Sequence, residues 1–428
     1  MDLSSAWLLL TAALVLFMTP GLAFFYGGLV KASSVVSMMM LSFGAMGLVA
    51  VLWVLYGFNM AFVDGTSADW IPEVVGNGFS DFGLADGAQA AFNGDGELVF
   101  AGVIFGATFA IITVALISGA IADRARFFPW MVFAGLFATL VYFPVAASVF
   151  SFVTDDKGVP TFTGWVGQLG GHLGLDVGTI DYAGGTAVHI NAGAAALALA
   201  IVLGKRVNFS RELAKPHNVP LVLIGAAILW FGWFGFNGGA ALATGTPGTN
   251  GSAGLIFVNT LVAPAAALLG WIIVEHFKNG KATAVGAASG IVAGLVAITP
   301  ACANLSPHWA IVLGLFAGGV CAISIEFKYK LGFDDSLDVV GIHLVGGVIG
   351  TLYLGFFAIG TGLFTGGGNL DQFIVQLIPA AAIGAYSFVV AFILGTIIEK
   401  TIGFRIKEDE EAAGIDSVLH GEEGYAFS

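Results

Sequence analysis

The chain has 428 residues, 57% of them hydrophobic and only 10% charged, with a formal net charge of −13. A soluble domain is about a quarter charged, so this composition excludes an ordinary soluble enzyme, and apolar stretches of about 20 residues override the two or three soluble domains that length alone suggests. Two cysteines, Cys302 and Cys321, make no disulfide framework and read as small buried hydrophobes.

The first segment opens with MDLSSAW, without the basic run of a cleavable signal, and is kept as a mature span. Eleven spans follow in order: 6–30, 35–62, 98–121, 127–152, 184–204, 219–243, 251–277, 283–303, 308–330, 337–360 and 372–399. Charge supports that number. With the N-terminus outside, the cytoplasmic connections hold Lys31, Arg124, Arg126, Lys205, Arg206, Arg211, Lys215, Lys278, Lys281, Lys328, Lys330, Lys400, Arg405 and Lys407, fourteen of the fifteen Lys and Arg, and only Lys157 lies outside. Lys and Arg gather on cytoplasmic loops. The outer connections are acidic, with Asp64, Asp69, Glu73, Asp81, Asp86, Asp95 and Glu97 in 63–97 and Asp155, Asp156, Asp176 and Asp181 in 153–183. That serves solubility first and cation attraction modestly. Many of the 62 glycines sit at small-xxx-small spacing, as at Gly314 and Gly318 or Gly346 and Gly350, which suits close helix packing. From residue 400 the chain is a polar cytosolic tail, and its run Lys407–Glu411 reads as solvated.

Two matches recur five spans apart. Phe25-Tyr26-Gly27-Gly28 in the first span corresponds to Phe236-Asn237-Gly238-Gly239 in the sixth, and a lone histidine after an aspartate occurs in the fifth and tenth. An odd offset reverses the crossing direction, so the expected fold is an all-α polytopic membrane protein of eleven transmembrane helices. Two inverted five-helix repeats, about 6–204 and 219–360, are followed by an extra helix at 372–399 within a membrane domain of 1–399 and a tail of 400–428.

His189 and His343 are the only histidines inside spans and away from their ends, since His276 and His308 stand at span edges. An ionisable group in hydrocarbon costs at least about 2.5 kcal/mol and usually faces a pore or a partner. A buried neutral pair can share one hydrogen and line a narrow path for a small uncharged solute, or relay protons. The competing reading is two packing histidines, each bonded to a carbonyl. Corresponding places in related halves favour function. No further His, Cys or carboxylate stands at ligand spacing within a span, so no metal site is expected. Residue counting puts the two histidines about 10 Å deep from opposite faces of a core about 30 Å thick, so contact requires helix starts recessed beneath vestibules. Asp338 reads as a helix cap. For Asp181, followed by Gly184-Gly185, capping and bracing a site both stay open. Phe109 and Phe236 are two of 37 phenylalanines, and by themselves point no further than core or lipid contact.

TPGLAFFYGGLV (19–30), TFAIITVALISGAIADRARF (108–127), DYAGGTAVHINAG (181–193), KPHNVPLVLIGAAILWFGWFGFNGG (215–239), TPACA (299–303), DDSLDVVGIHLVGGVIG (334–350) and GIDSVLHGEEGY (414–425) follow one another along the chain. Together they resemble the ammonium transporter family of Amt, Mep and Rhesus proteins, above all its bacterial Amt branch. The resemblance implies a homotrimer in the plasma membrane with one pore per subunit, carrying ammonium or ammonia with methylammonium as an analogue. No enzymatic activity, cofactor or nucleic-acid partner is expected. It implies that His189 and His343 meet as a pore pair, that Asp181 supports the ammonium site, and that Phe109 and Phe236 form a stacked gate. It places Tyr26, Trp233, Asn237 and Thr299 along the pathway, and gives the tail a regulatory role with a PII-type signal protein as partner. The chain departs from the pattern at the outer site: Phe150 stands in place of a tryptophan and Ala240 in place of a serine, leaving Trp165 as a substitute from the loop, and Phe105-Gly106 stand where a glutamine is common. A cage without tryptophan binds a cation more weakly. Alternatives are a Rhesus-like neutral ammonia channel, an ammonium sensor and a structural membrane protein.

Overall fold

In hydrocarbon every backbone N–H must find its acceptor within its own segment, so long apolar stretches become helices. The structure, a computed structural model, describes residues 3–93, 97–154, 160–207, 209–210, 215–243 and 253–425. Asp95, Asp155, Asp156, Lys157 and Arg211, used in the charge argument above, lie outside them. Among the described residues ten helices are long and apolar enough to cross a membrane: α1 (Leu3–Leu29), α2 (Ala32–Met60), α3 (Val99–Ile121), α4 (Phe127–Phe150), α5 (Gly185–Leu203), α6 (Val219–Ala241), α7 (Ala253–Asn279), α9 (Pro307–Leu331), α10 (Val340–Phe357) and α11 (Asp371–Thr401). The protein is a multi-pass membrane protein. The segment expected at 283–303 is shorter. Its helix, α8 (Ala284–Ile298), has 15 residues, and the chain then turns at Pro300, which has no amide hydrogen to continue the ladder. At 1.5 Å per residue α8 is about 22 Å long.

α1 lies along α6, α7 against α8 and α9, and α11 against α4, α5 and α10. The glycines act where close approach was expected. A Cβ on Gly314 or Gly318 would strike the backbone of Ala263 or Ala267 on α7, and one on Gly193 of α5 would strike the backbone of Leu344 on α10. Cys302 and Cys321 are buried and unpaired. The outer connections carry structure that composition did not announce: helices Ala85–Phe92 and Trp165–His172, and an antiparallel strand pair Phe152–Thr154 with Pro160–Phe162.

The tail is not simply solvated. Lys407, Glu408 and Asp409 are exposed, but Glu411 and Asp416 are buried. Glu411 bonds Arg405 Nη2 at 3.0 Å and accepts the Val207 N–H at 2.7 Å. Asp416 accepts the Val36 and Ser37 N–H groups at 2.9 and 2.7 Å, which caps the first turn of α2. Tyr425 Oη sits 2.9 Å from His217 Nε2 and 3.2 Å from Asn218 Nδ2. Backbone amides of the body thus hold Glu411 and Asp416, and charge patterning alone could not foresee that.

Candidate functional site

Both histidine-bearing helices start inside the protein. Tyr182 and Ala183 before α5, and Asp334, Asp335, Ser336 and Leu337 before α10, are buried. Recessed heads bring together side chains that residue counting had set apart. His189 Nδ1 lies 3.2 Å from His343 Nδ1, with the rings 5.3 Å apart at 26°. One hydrogen between two ring nitrogens means one imidazole donates from Nδ1 and the other accepts there, so the two cannot both be imidazolium. Neither Nδ1 is spent on a backbone carbonyl, as the packing alternative required. His189 Nε2 is buried with no protein partner.

Each helix head is capped by a carboxylate. Asp181 accepts N–H groups of Gly184 (3.1 Å), Gly185, Thr186 (2.9 Å) and Ala187 (3.2 Å), and the Thr186 hydroxyl. At α10 the cap differs from the expected one. Asp335 accepts the Val339 and Val340 N–H groups at 3.1 and 2.7 Å. Asp338 has a left-handed backbone, φ 63°, and its carboxylate turns away to Lys328 Nζ at 2.6 Å. Spacing carried the signal. Asp181 precedes His189 by eight residues, and eight before His343 is Asp335, not Asp338.

The heads also differ in charge. Burial pushes the Asp181 pKa up, and the bonded amides and hydroxyl draw it back only in part. At the α10 head burial pushes Asp335 up to about 6 against the pull of Lys328. Next to it, Arg206 bonds Asp334 through Nε at 2.9 Å and Asp123 through Nη1 at 3.0 Å. Arg124 donates to Ser336 Oγ and to the Asp334 carbonyl, both at 2.5 Å. Burial alone would raise Asp334, but Arg206 and Arg124 hold it below the ordinary carboxylate value.

Above His189 the aromatics form a column. Phe109 and Phe236 stack at 4.0 Å and 9°, Phe150 meets Phe109 edge-on at 6.2 Å, and Phe105 lies 4.9 Å from Phe109. Trp233 stacks on His189 at 5.5 Å, held by its Nε1–H to Thr299 Oγ1 at 2.8 Å. Asn237 donates to Thr260 Oγ1 at 2.9 Å and leaves Oδ1 buried without a partner. Tyr26 donates to the Leu116 carbonyl at 3.0 Å. Ala240 is buried on α6. Trp165, half-buried at the start of its outer helix, joins neither the rings around Phe109 nor the small cavity beside Asp181, where Phe150 and Phe162 stand instead.

A cavity of about 10 Å³, room for one water-sized molecule, runs beside the imidazoles between Leu22, Ile112, Leu229, Trp233 and Phe236. A separate, larger cavity of about 260 Å³ is lined by Lys31, Asp123, Arg206, Lys215, Lys328 and Asp338 among others. Among the described residues no three His, Cys, Asp or Glu side chains are grouped to hold a metal ion. The cavity at the pair is narrow and apolar, surroundings in which a bare ion is costly.

The profile of the Ammonium Transporter Family matches residues 6–425. The chain belongs to the ammonium transporter family. It is 48% identical to an ammonium transporter of Mycobacterium tuberculosis, covering 99% of this chain and 90% of the relative. It is 40% identical to an ammonium transporter of Bacillus subtilis, covering 97% of each. Among solved structures, one described as a sensor Amt protein matches with TM-score 0.84 at 27% identity, covering 97% of this chain and 98% of that one. Mep2 of Saccharomyces cerevisiae matches with TM-score 0.79 at 32% identity, covering 95% and 91%. Sequence reading of this family member found the histidines, the stacked phenylalanines and Asp181. It missed Asp335, which the eight-residue offset would have found, and Phe162, which only the packed outer loop brings beside Asp181.

Proposed function

We propose that the chain transports ammonium across the plasma membrane, with its N-terminus outside and its tail in the cytosol. Ammonium reaches the cavity between Phe150 and Asp181 and releases its proton there. Ammonia slips past Phe109 and Phe236 when a ring rotates, runs along the imidazole pair, and regains a proton in the wide charged cavity. Asp181 acts through its charge and through the helix it caps. A carboxylate offers about four acceptor positions, and five donors already fill them. It is therefore not the proton acceptor, and the proton passes to solvent. K⁺ and Na⁺ cannot shed a proton to become neutral, and a bare ion in a dry throat is prohibitively costly. The membrane unit is residues 1–399, with halves of 6–204 and 219–360 about a pseudo-twofold, in a homotrimer. The folded tail offers a surface to a PII-type signal protein.

The observation that carries this reading is the Nδ1–Nδ1 contact with a free Nε2, directly below a stacked phenylalanine pair. The test is uptake of ammonium or labelled methylammonium into proteoliposomes. Uptake that saturates and is indifferent to excess K⁺ supports it, and uptake no faster than in empty vesicles refutes it. A second reading, passage of neutral ammonia alone, is favoured by Phe150 and Ala240 at the outer site, where a cation is held weakly. Solid-supported membrane recordings separate the two, because ammonium taken up with its charge gives a current and ammonia gives none.

A further inference from the structure

Each pore histidine sits in a π-turn, Gly185–Ile190 or Val340–Leu344, where one extra residue is inserted into the helix ladder. In an α-helix the Asn191 N–H would go to the Ala187 carbonyl, but it is shared between the carbonyls of Thr186 and Val188. Likewise the Val345 N–H passes over Gly341 and is shared between the carbonyls of Val340 and Ile342. The carbonyl passed over lies two residues before the histidine in both halves. In both it is met by a buried polar side chain. Asn191 Nδ2 donates to the Ala187 carbonyl at 3.0 Å. The Ser324 hydroxyl lies 3.0 Å from the Gly341 carbonyl, sharing its one hydrogen with the Cys321 carbonyl, also at 3.0 Å. Asn191 is itself held from α11, whose Ser387 hydroxyl donates to Asn191 Oδ1 at 2.7 Å.

We infer that Asn191 and Ser324 are positioning residues that hold the two π-turns open and so turn His189 and His343 toward each other. An α-helical ladder would recover each carbonyl through the backbone, and a side-chain donor is what makes the π-turn equally well bonded. Removing one residue of insertion rotates the preceding turn by roughly 100° relative to the rest of the helix, which parts the imidazoles. The extra helix α11 thereby gains a function, to brace the fifth helix through Ser387. This rests on the histidine pair lining the path proposed above.

The test compares Asn191→Ala, Ser324→Ala, Ser324→Thr and Ser387→Ala with the wild type in proteoliposomes, reading ammonium uptake, K⁺ current, apparent melting temperature and the histidine spacing by cryo-electron microscopy. Both Asn191→Ala and Ser324→Ala are expected to slow uptake about tenfold or more, the scale of a misplaced group about 1 Å off. The Gly341 carbonyl should then be taken by the Val345 N–H in Ser324→Ala. Ser324→Thr, which keeps the hydroxyl, should restore the rate, and Ser387→Ala should give a smaller loss. Should an alanine variant not fold, the Ser387→Ala and Ser324→Thr pair still decides. Uptake within twofold of wild type in every folded variant, or unchanged imidazole spacing in Ser324→Ala, overturns the inference. A wild type that takes up no ammonium would instead overturn the proposed function.

Discussion

The heads of α5 and α10 are built alike and charged differently. Each starts below the surface, is capped by a carboxylate eight residues before its histidine, and passes through a π-turn. At the α5 head Asp181 is met by amides and a hydroxyl only, and none of the described ion pairs includes it. At the α10 head Lys328, Arg124 and Arg206 surround Asp334, Asp335 and Asp338. A field that is left uncompensated attracts a cation, and one that is neutralised locally does not. One architecture thus sets one capping carboxylate without a described cation partner and the other among three basic side chains.

The strongest way to break that comparison is to neutralise the two caps separately. Asp181→Asn should lower ammonium uptake by about a hundredfold, the scale of a preorganised charge, whereas Asp335→Asn should lower it less than about tenfold. Equal losses in proteoliposome assays would show the heads to be interchangeable. Restoring the outer cage sharpens the contrast from the other side. Phe150→Trp with Ala240→Ser should lower the apparent KM for ammonium by about two- to fivefold, as a stronger cation–π contact predicts, with little change in maximal rate. An unchanged KM would remove the outer cavity from the account.

Acid distinguishes two neighbouring carboxylates within the α10 head. Burial raises Asp335 from 3.8 to about 6. Below about pH 4 it is protonated whether the chain is folded or unfolded, so it costs nothing. Between about pH 4 and 6 the unfolded chain ionises while burial keeps the folded one protonated, so this group becomes destabilising as pH climbs through that window, and above about pH 6 the penalty is constant. Asp334 runs the opposite way, adding stability above the ordinary carboxylate range and losing it in acid, because Arg206 and Arg124 hold its pKa down. The apparent Tm in detergent, taken as wild type minus Asp335→Asn, should therefore fall between pH 4 and 6. A difference that rises across that window contradicts the sign. The smallest effect belongs to the tail. Tyr425→Phe loses contact with His217 and Asn218, which should speed proteolysis of the tail a few-fold while uptake stays near wild type, in line with the modest net worth of a hydrogen bond, about 1 kcal/mol.

How much of this could be read from letters follows from what each feature depends on. A histidine in an apolar stretch is conspicuous because its cost in hydrocarbon is local, and His189 and His343 needed no fold to be noticed. Asp338 was misread because proximity to a helix start suggests capping, whereas its left-handed φ and the nearby Lys328 are set by how the loop packs. The eight-residue offset shared by Asp181 and Asp335 was present in the sequence and identifies the cap. The π-turns have no composition signal. They appear only as backbone amides that skip a carbonyl. The docking of Glu411 and Asp416 depends on amides at Val207, Val36 and Ser37, far away in the chain. Trp165 looked like a stand-in for the absent outer tryptophan because it is the nearest one in sequence. The rings that meet Phe109 are those of Phe105, Phe150 and Phe236.

The central claim is that only a neutral molecule passes the imidazole pair. Its most direct test is K⁺ current through proteoliposomes carrying His189→Ala together with His343→Ala, measured beside ammonium uptake in the same preparation. Widened and no longer lined by paired nitrogens, the throat should take up water, pass K⁺ where the wild type passes none, and lose ammonium selectivity. If the double variant carries ammonium at the wild-type rate and still blocks K⁺, the histidines are not what keeps charge out.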